Sequence, residues 1–185
     1  MITREEAVEL LERHVRTENL TKHCLATEAV MRALARRLER DEELWGLVGL
    51  LHDLDFDYTR DDPSAHGPET VRLLEDGGFP REALDAILRH NAEALNLRRE
   101  TVLDNALTCA ETVTGLIVAA ALVHPDKRIG SLKVKSVRKR MKSKDFARNV
   151  NRDHIMLCEK LNVPLADFID LSLRAMGSVA PSLGL

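Results

Sequence analysis

A run of apolar residues that ends in polar ones constrains this chain most. In the helix that begins near Asp41, one inward face is marked by four apolar residues at helical spacing, Leu44, Leu47, Val48 and Leu51. His52 and Asp55 continue this face, since each lies four residues after one of its members. Burying polar groups costs free energy unless a partner compensates, and a metal ion is one such partner. The pattern therefore predicts a metal site inside a helical bundle.

Helical periodicity also dominates the rest of the chain, and an aromatic content of only 3% leaves a core of Leu, Val, Ile and Ala. No strand with confident alternation and no long linker is evident. We therefore expect an all-α, single-domain helical bundle over residues 1–185, with its motif core at about 20–120 and a basic, helical C-terminal extension at 125–185. Further helices are predicted after the Thr3-x-x-Glu6 capping box, from about 21 to 40, after His66, from Pro80 to near His90, from about 101 to 123, near 151–161 and near 164–176. Residues 55–68, rich in Asp, Pro and Ser, are predicted to form a loop.

Cellular context follows from what the sequence lacks. The N-terminus shows charges at helical spacing rather than an apolar signal segment, and the longest uncharged stretch, 112–123, is about half of a bilayer span. Cys24, Cys109 and Cys158 are widely spaced, which is typical of reduced, buried thiols. We expect a cytoplasmic protein without a membrane span. The net charge of −3 says little about partners, and no glycine-rich phosphate loop is present.

The candidate metal ligands extend beyond the His52-Asp53 pair. His23, His66 and His90 each lie near the end of a predicted helix or in a loop. Imidazole and carboxylate together favour first-row divalent ions, so one or two ions of Mn, Fe, Co, Ni or Zn are expected. The three remaining histidines match no part of this pattern and are expected to be exposed or capping residues: His14, His124 and His154.

These residues resemble the HD-domain superfamily of metal-dependent phosphohydrolases, over about residues 20 to 120. The superfamily has a His on one helix, an HD dyad on another and an Asp on a later helix. His23 in LTKHCLATEAVM resembles the first ligand, and His52-Asp53 in LLHDLDFD resembles the dyad. The later acid should fall in TCAETVTGLIVA, where the superfamily reads AAD-x-x-TGL and this chain has Glu111. The C-terminal segment also resembles a small bacterial group of HD hydrolases.

A dinuclear site is what the resemblance implies. Certain HD subgroups have two extra histidines that hold a second metal, and His66 in SAHGPETV and His90 in ILRHNAEA lie at the matching places. One metal would then be held by His23, His52, Asp53 and Glu111, and the second by His66 and His90 with Asp53 bridging. Because Glu is one methylene longer than Asp, Glu111 could bind well, bind loosely, or leave a site that turns over poorly.

Two further groups have candidate roles. Asp53 and Asp55 are the catalytic candidates: Asp55 could orient a ligand histidine, accept a proton from the attacking water, or be a helix-end carboxylate that faces solvent. Residues 127–148 carry ten basic residues against one acid. This run could be a solvated face, but Lys133 and Lys135, alternating in an extended stretch, are the candidates to bind a substrate phosphate.

The expected function is hydrolysis of a phosphomonoester or phosphodiester of a small metabolite or nucleotide by metal-activated water. One alternative is a di-iron HD-fold oxygenase, since some HD-fold proteins use the same extra histidines to oxidise a substrate with O₂. Another is a metal-binding regulatory module with little turnover, an alternative that rests on Glu111 in place of the expected Asp. Nucleic acid is not an expected partner, because only Phe146 could stack on a base in the basic segment, and the oligomeric state is open.

Overall fold

The chain is built from helices alone in a computed structural model that describes residues 1–185. The α-helices are α1 Arg4–His14, α2 Glu18–Arg37, α3 Glu42–Leu51, α4 Phe56–Thr59, α5 Pro68–Leu74, α6 Arg81–His90, α7 Val102–Leu122, α8 Val134–Met141, α9 Arg152–Ile155, α10 Leu165–Ser178 and α11 Ala180–Leu183. Two 3₁₀ helices lie at Ile129–Ser131 and Met156–Leu161. The all-α prediction is confirmed.

Several helix ends follow from local capping chemistry. At α1, the Thr3 hydroxyl accepts the backbone N–H of Glu6 at 3.2 Å and the Glu6 carboxylate accepts that of Thr3 at 2.7 Å, which confirms the capping box. A second capping box, Thr101 with Asp104, starts α7. These caps satisfy backbone donors that have no partner inside the helix.

The sequence predicted the wrong local structure in two places. The stretch 55–68, expected to be a loop, contains the one-turn helix α4, and Lys133 and Lys135, expected in an extended stretch, lie at the start of α8. The predicted helix near 151–161 is α9 followed by a 3₁₀ helix. In α8, Val137 is fully buried, and Val134 and Met141 also pack against the core, while Arg138 and Lys139 face solvent. These apolar residues, spaced three and four apart, mark the buried face of the helix.

The centre of the bundle is formed by α2, α3, α6 and α7. Helix α7 is long and apolar enough to cross a membrane by composition, but 72% of its most apolar window is buried inside the protein. This burial is typical of a core helix in a soluble protein. Cys24, Cys109 and Cys158 are all free and buried, as expected.

The close crossing of α2 and α3 depends on Gly49. A Cβ at this position would lie 2.9 Å from Met31 Cγ and 3.0 Å from the carbonyl oxygen of Thr27, which is closer than side-chain contacts normally allow. Gly49 therefore lets the backbones of the two helices approach, and this approach brings the middle of α2 next to the end of α3.

We expect Gly49→Ala to lower the free energy of unfolding by about 1–3 kcal/mol, because the added methyl group overpacks this crossing. Gly177→Ala in α10 is the matched control: a Cβ there meets no atom within 4 Å, so it should stabilise the protein by up to about 1 kcal/mol through helix propensity. Urea unfolding of both variants measures the two effects. Shifts of the same sign would contradict the proposed contact.

Candidate metal centre

Five side chains from separate elements converge where the central helices meet. His23 lies in the second turn of α2, His52 and Asp53 directly follow α3, His66 lies just before α5, and His90 is the last residue of α6. Apart from partly exposed His23 and His66, these residues are buried. The structure thus brings together residues that are far apart in the sequence.

The first group of donors consists of His23, His52 and Asp53. The Nε2 atoms of the two histidines lie 3.2 Å apart. Asp53 Oδ2 is 3.7 Å from His23 Nε2, and Asp53 Oδ1 is 3.4 Å from His52 Nε2. All three potential ligand atoms lie within 4.8 Å of one another, which is close enough for one ion to be bound by all of them.

The second group consists of Asp53, His66 and His90. Asp53 Oδ1 lies 3.5 Å from His66 Nε2 and 3.4 Å from His90 Nε2, and the two Nε2 atoms are 2.9 Å apart. These donors also lie within 4.8 Å of one another. Asp53 belongs to both groups, so its carboxylate lies between two clusters of imidazole nitrogens.

Backbone carbonyls decide which ring nitrogen carries the proton in two of the histidines. His52 Nδ1 lies 2.9 Å from the carbonyl oxygen of Gly49, and His90 Nδ1 contacts the carbonyl oxygen of Ile87. A carbonyl oxygen only accepts hydrogen bonds, so each Nδ1 must carry the proton. In the neutral ring, Nε2 is then unprotonated, and its lone pair points into the centre.

The same assignment holds for His23. Its Nδ1 lies 3.1 Å from the Thr114 hydroxyl oxygen, and this hydroxyl donates its own proton to the carbonyl oxygen of Glu111 at 2.6 Å. Thr114 is therefore the acceptor and His23 Nδ1 the donor. The lone pair of His23 Nε2 faces those of the other histidines.

Asp55 holds the fourth histidine, His66, through the ring nitrogen that does not face the centre. Its Oδ1 accepts His66 Nδ1–H at 2.7 Å, while Oδ2 accepts the backbone N–H groups of Gly67 at 2.7 Å and Thr70 at 2.9 Å. The side chain is fully buried. This burial contradicts a solvent-facing carboxylate, whereas the role of proton acceptor for the attacking water stays a prediction. It agrees with the orienting role.

Electrostatics keeps Asp53 and His52 in the form that binds a cation. Burial acts to raise the pKa of Asp53, but the imidazoles of His52 and His90 hold it well below its usual range, so the side chain is a carboxylate. Burial lowers the pKa of His52 to about 3, so its ring is neutral near pH 7. Burial acts to lower the pKa of His90, but the hydrogen bond and attraction to Asp53 raise it, so this ring holds a proton more readily than a free imidazole does.

This donor set fits a divalent metal ion. Unprotonated nitrogens 2.9 and 3.2 Å apart face one another across a carboxylate, and their lone pairs repel unless a proton or a cation lies between them. Four imidazole nitrogens and one carboxylate suit the borderline first-row ions, as the sequence predicts. The identity and number of the ions stay predictions.

Glu111 lies in the same cleft but not with the five donors. Its Oε1 is 2.6 Å from the Thr112 hydroxyl, and it belongs to neither of the groups whose ligand atoms lie within 4.8 Å. Burial raises the pKa of its carboxyl group. Glu111 thus lies near enough to His23 and Asp53 for their charges to act on it, but outside both donor groups, and its role as a ligand stays a prediction.

Lys133 and Lys135, the expected phosphate contacts, lie outside this cleft, and their role stays a prediction. Lys133 precedes α8 and Lys135 lies in its first turn, and both line a separate surface depression together with other polar residues of that helix. Both side chains are exposed. The segment is helical rather than extended, so the alternating spacing does not direct the two lysines to the histidines.

The residue that sequence reasoning missed is Arg60. It lies at the wall of the histidine cleft, which has a volume of about 530 Å³ and is lined by Thr17, Asn19, Leu20, His23, Asp53, Phe56, Asp57, Arg60, His66, His90 and Glu111. Its nearest acid, Asp57, is 3.6 Å away. No sequence signal separates Arg60 from other surface arginines, because its position depends on α4, which was expected to be a loop.

The other histidines lie apart from the centre. His154 Nε2 contacts Glu93 at 3.0 Å, and His124 Nδ1 accepts the backbone N–H of Asp126 at 3.3 Å. His14 lies at the end of α1. None belongs to either donor group.

Comparison with known families gives one match. The family described as HD domain matches residues 20–121, a span that contains all five converging side chains and Glu111. No match is found among curated proteins or among solved structures.

We expect Asp55→Asn to weaken metal binding by about 10–100-fold. Both oxygens of Asp55 accept hydrogen bonds from N–H groups, and an amide replaces one of these oxygens with a donor. One hydrogen bond is then lost, and His66 is no longer held in place. Titration with Co²⁺ or Zn²⁺ measures this effect. Asp62→Asn, at a turn aspartate that accepts Ser64, is the control and should leave affinity unchanged. Equal affinity in Asp55→Asn and the wild type would exclude the orienting role.

Proposed function

Since the chain belongs to the HD-domain family, we propose that it is an enzyme that hydrolyses a phosphomonoester or phosphodiester of a small metabolite or nucleotide. The HD domain is typical of metal-dependent phosphohydrolases, and the His/Asp cluster fits the metal binding that this chemistry requires. We place the protein in the cytoplasm and do not expect nucleic acid as a substrate.

The observation that carries the proposal is the position of Asp53 between two pairs of histidines. A structural metal site is usually closed by four protein ligands. Here each of the two groups has three donors, two imidazoles and the shared carboxylate of Asp53, and both groups lie next to an open cleft. This arrangement supports two ions, each with positions left for water and substrate. Divalent ions bound there would polarise a phosphoryl oxygen and activate a water molecule.

The residues around the donors supply the rest of the site. Asp55 holds His66 in one orientation, so the ligand geometry is set before substrate arrives. Hydrolysis transfers the phosphoryl group to water, breaks the phosphorus–oxygen bond to the alcohol and releases that alcohol with a proton. A positive group beside the cleft offsets the charge on the phosphoryl oxygens during this step.

Arg60 is suited to that role. Its side chain is 57% exposed, and Asp57, its nearest acid, already accepts the backbone N–H groups of Arg16 at 2.7 Å and Thr17 at 2.9 Å. The contact between Arg60 and Asp57 is 3.6 Å long, so the guanidinium group is held only loosely. It can therefore turn to phosphate oxygens and bind two of them at once.

Metal analysis of protein purified without added metal tests the dinuclear site. We expect about two equivalents per chain, and about one in His66→Ala/His90→Ala, because this variant removes two of three donors from one group. The matched control is His124→Ala/His154→Ala, which removes two histidines outside the centre and should leave the content unchanged. The metal-loaded wild type should hydrolyse phosphoesters in the same preparation.

Equal metal content in the two double variants would overturn the second metal site. Iron as the bound metal, with turnover that needs O₂ and no phosphoester hydrolysis, would instead support the oxygenase alternative.

One observation favours a second candidate, a metal-binding module with little turnover. Glu111 stands where the family has Asp, and its carboxyl group lies outside both donor groups. A site that lacks this ligand could hold metal through the other five residues and still activate water poorly.

Glu111→Asp separates the two candidates. If the enzyme works with Glu111, we expect the shorter side chain to lower kcat/KM by about tenfold or more, because its carboxyl group recedes from the cleft. Glu12→Asp, on the exposed face of α1, is the control. Phosphoester turnover and metal content are measured together, and a large gain in turnover would identify the native site as a degenerate one.

A further inference from the structure

A second pocket lies directly beside the histidine cleft. The two cavities share Asn19 and His23, which therefore form the ridge between them. The second pocket has a volume of about 410 Å³ and is lined by Asn19, Lys22, His23, Ala26, Thr114, Gly115, Val118, Leu122, Leu183, Gly184 and Leu185. This volume falls in the range of about 300–1,000 Å³ that is typical of small-molecule sites.

Two helix faces run from the metal centre into this pocket. On α2, Asn19, His23 and Ala26 follow one another at steps of four and three, and on α7 the steps of four from Thr114 lead to Val118 and Leu122. Glu111, one turn before Thr114, lines the histidine cleft. The two cavities thus lie next to one another between α2 and α7, on either side of a ridge where His23 hydrogen-bonds Thr114, and together they are called the groove.

The chemistry changes along this groove. The histidine cleft contains carboxylates, imidazoles and Arg60, whereas the second pocket has no acidic side chain and, apart from the shared His23, one basic side chain, Lys22 on the α2 side. Leu183 and Leu185, from α11 and the residues after it, close the far side of the pocket together with Leu122. A ligand that spans the groove must therefore be charged at one end and apolar at the other.

Few groups in the pocket can bind hydroxyls. The Thr114 hydroxyl already donates to Glu111 and accepts from His23, and the Lys22 ammonium is 2.6 Å from the Glu18 carboxylate. Asn19 has no such partner, and Lys22 keeps two N–H groups for other acceptors, but both residues lie on the α2 side of the pocket. The far side is lined by the apolar side chains of Val118, Leu122, Leu183 and Leu185. Because a buried hydroxyl without a hydrogen-bond partner costs free energy, a sugar would bind poorly here.

We propose that this pocket binds the alcohol portion of the substrate and selects phosphoesters whose alcohol is apolar, either alkyl or aromatic. This inference rests on the proposed function, since the phosphate end must lie at the histidines. The apolar end then crosses the ridge at Asn19 and His23 and packs against Val118 and Leu122. Phosphoesters of sugars and other polyols are disfavoured.

The test compares Leu122→Glu with Val123→Glu. The two residues are neighbours at the end of α7 and are 54% and 57% exposed, so both substitutions should be tolerated and should alter charge equally. Only Leu122 lines the pocket. We measure binding of 1-naphthol to the purified protein by fluorescence, and hydrolysis of 1-naphthyl phosphate against glycerol 3-phosphate.

We expect Leu122→Glu to weaken 1-naphthol binding by about tenfold or more, because it places a carboxylate in an apolar contact surface, while Val123→Glu has little effect. The KM for 1-naphthyl phosphate should rise by a similar factor only in Leu122→Glu. Equal binding of 1-naphthol in both variants, or no binding to the wild type, would overturn the inference.

Binding and turnover also separate this inference from the proposed function. If Leu122 controls 1-naphthol binding but no phosphoester is hydrolysed, the pocket is supported as an apolar site and the proposed hydrolase activity fails. If glycerol 3-phosphate is hydrolysed as well as 1-naphthyl phosphate and neither responds to Leu122→Glu, the hydrolase is supported and the apolar selection is wrong.

Discussion

The buried carboxylate of Asp53, surrounded by four imidazoles whose lone pairs point inward, is the constraint on which the rest of the structure depends. Such a centre is unfavourable without a cation, so the fold must hold the donors together against their mutual repulsion. Gly49 contributes twice to this. It lets α2 approach α3, which places His23 near His52. Its carbonyl oxygen also accepts a hydrogen bond from His52 Nδ1–H. Packing and ligand orientation therefore depend on the same residue.

Much of the fold could be predicted because helices leave a strong periodic signal. The inward face that ends in His52 and Asp55 is an example, since these residues are 1% and 0% exposed. Spacing along one helix cannot show which side chain approaches which across the bundle. The hydrogen bond from His66 to Asp55 joins residues that are close in the sequence, so the sequence could suggest it. The hydrogen bond from His23 to Thr114 joins α2 to α7, and only the structure shows it.

Glu111 and Lys133 show where sequence reasoning stops. Matching a motif places Glu111 at the right turn of α7, but the direction of a carboxyl group depends on its rotamer and on neighbours such as Thr112. For Lys133, the alternating charges favoured an extended stretch, yet Val134, Val137 and Met141, at helical spacing, pack against the core and mark a helix there. The basic run thus masked a short apolar period, whereas the direction of the Glu111 side chain leaves no trace in periodicity.

The candidate metal centre lies inside the span of the family match, whereas part of the groove lies outside it. Residues 20–121 contain every side chain of the candidate metal centre, so this chemistry belongs to the shared domain. Leu183 and Leu185, which close the apolar end of the groove, lie outside that span. If the reaction type is determined by the shared domain, the choice of substrate is determined by how the C-terminal helices cover α2 and α7. Two proteins with the same histidines and different C-terminal segments would then act on different alcohols.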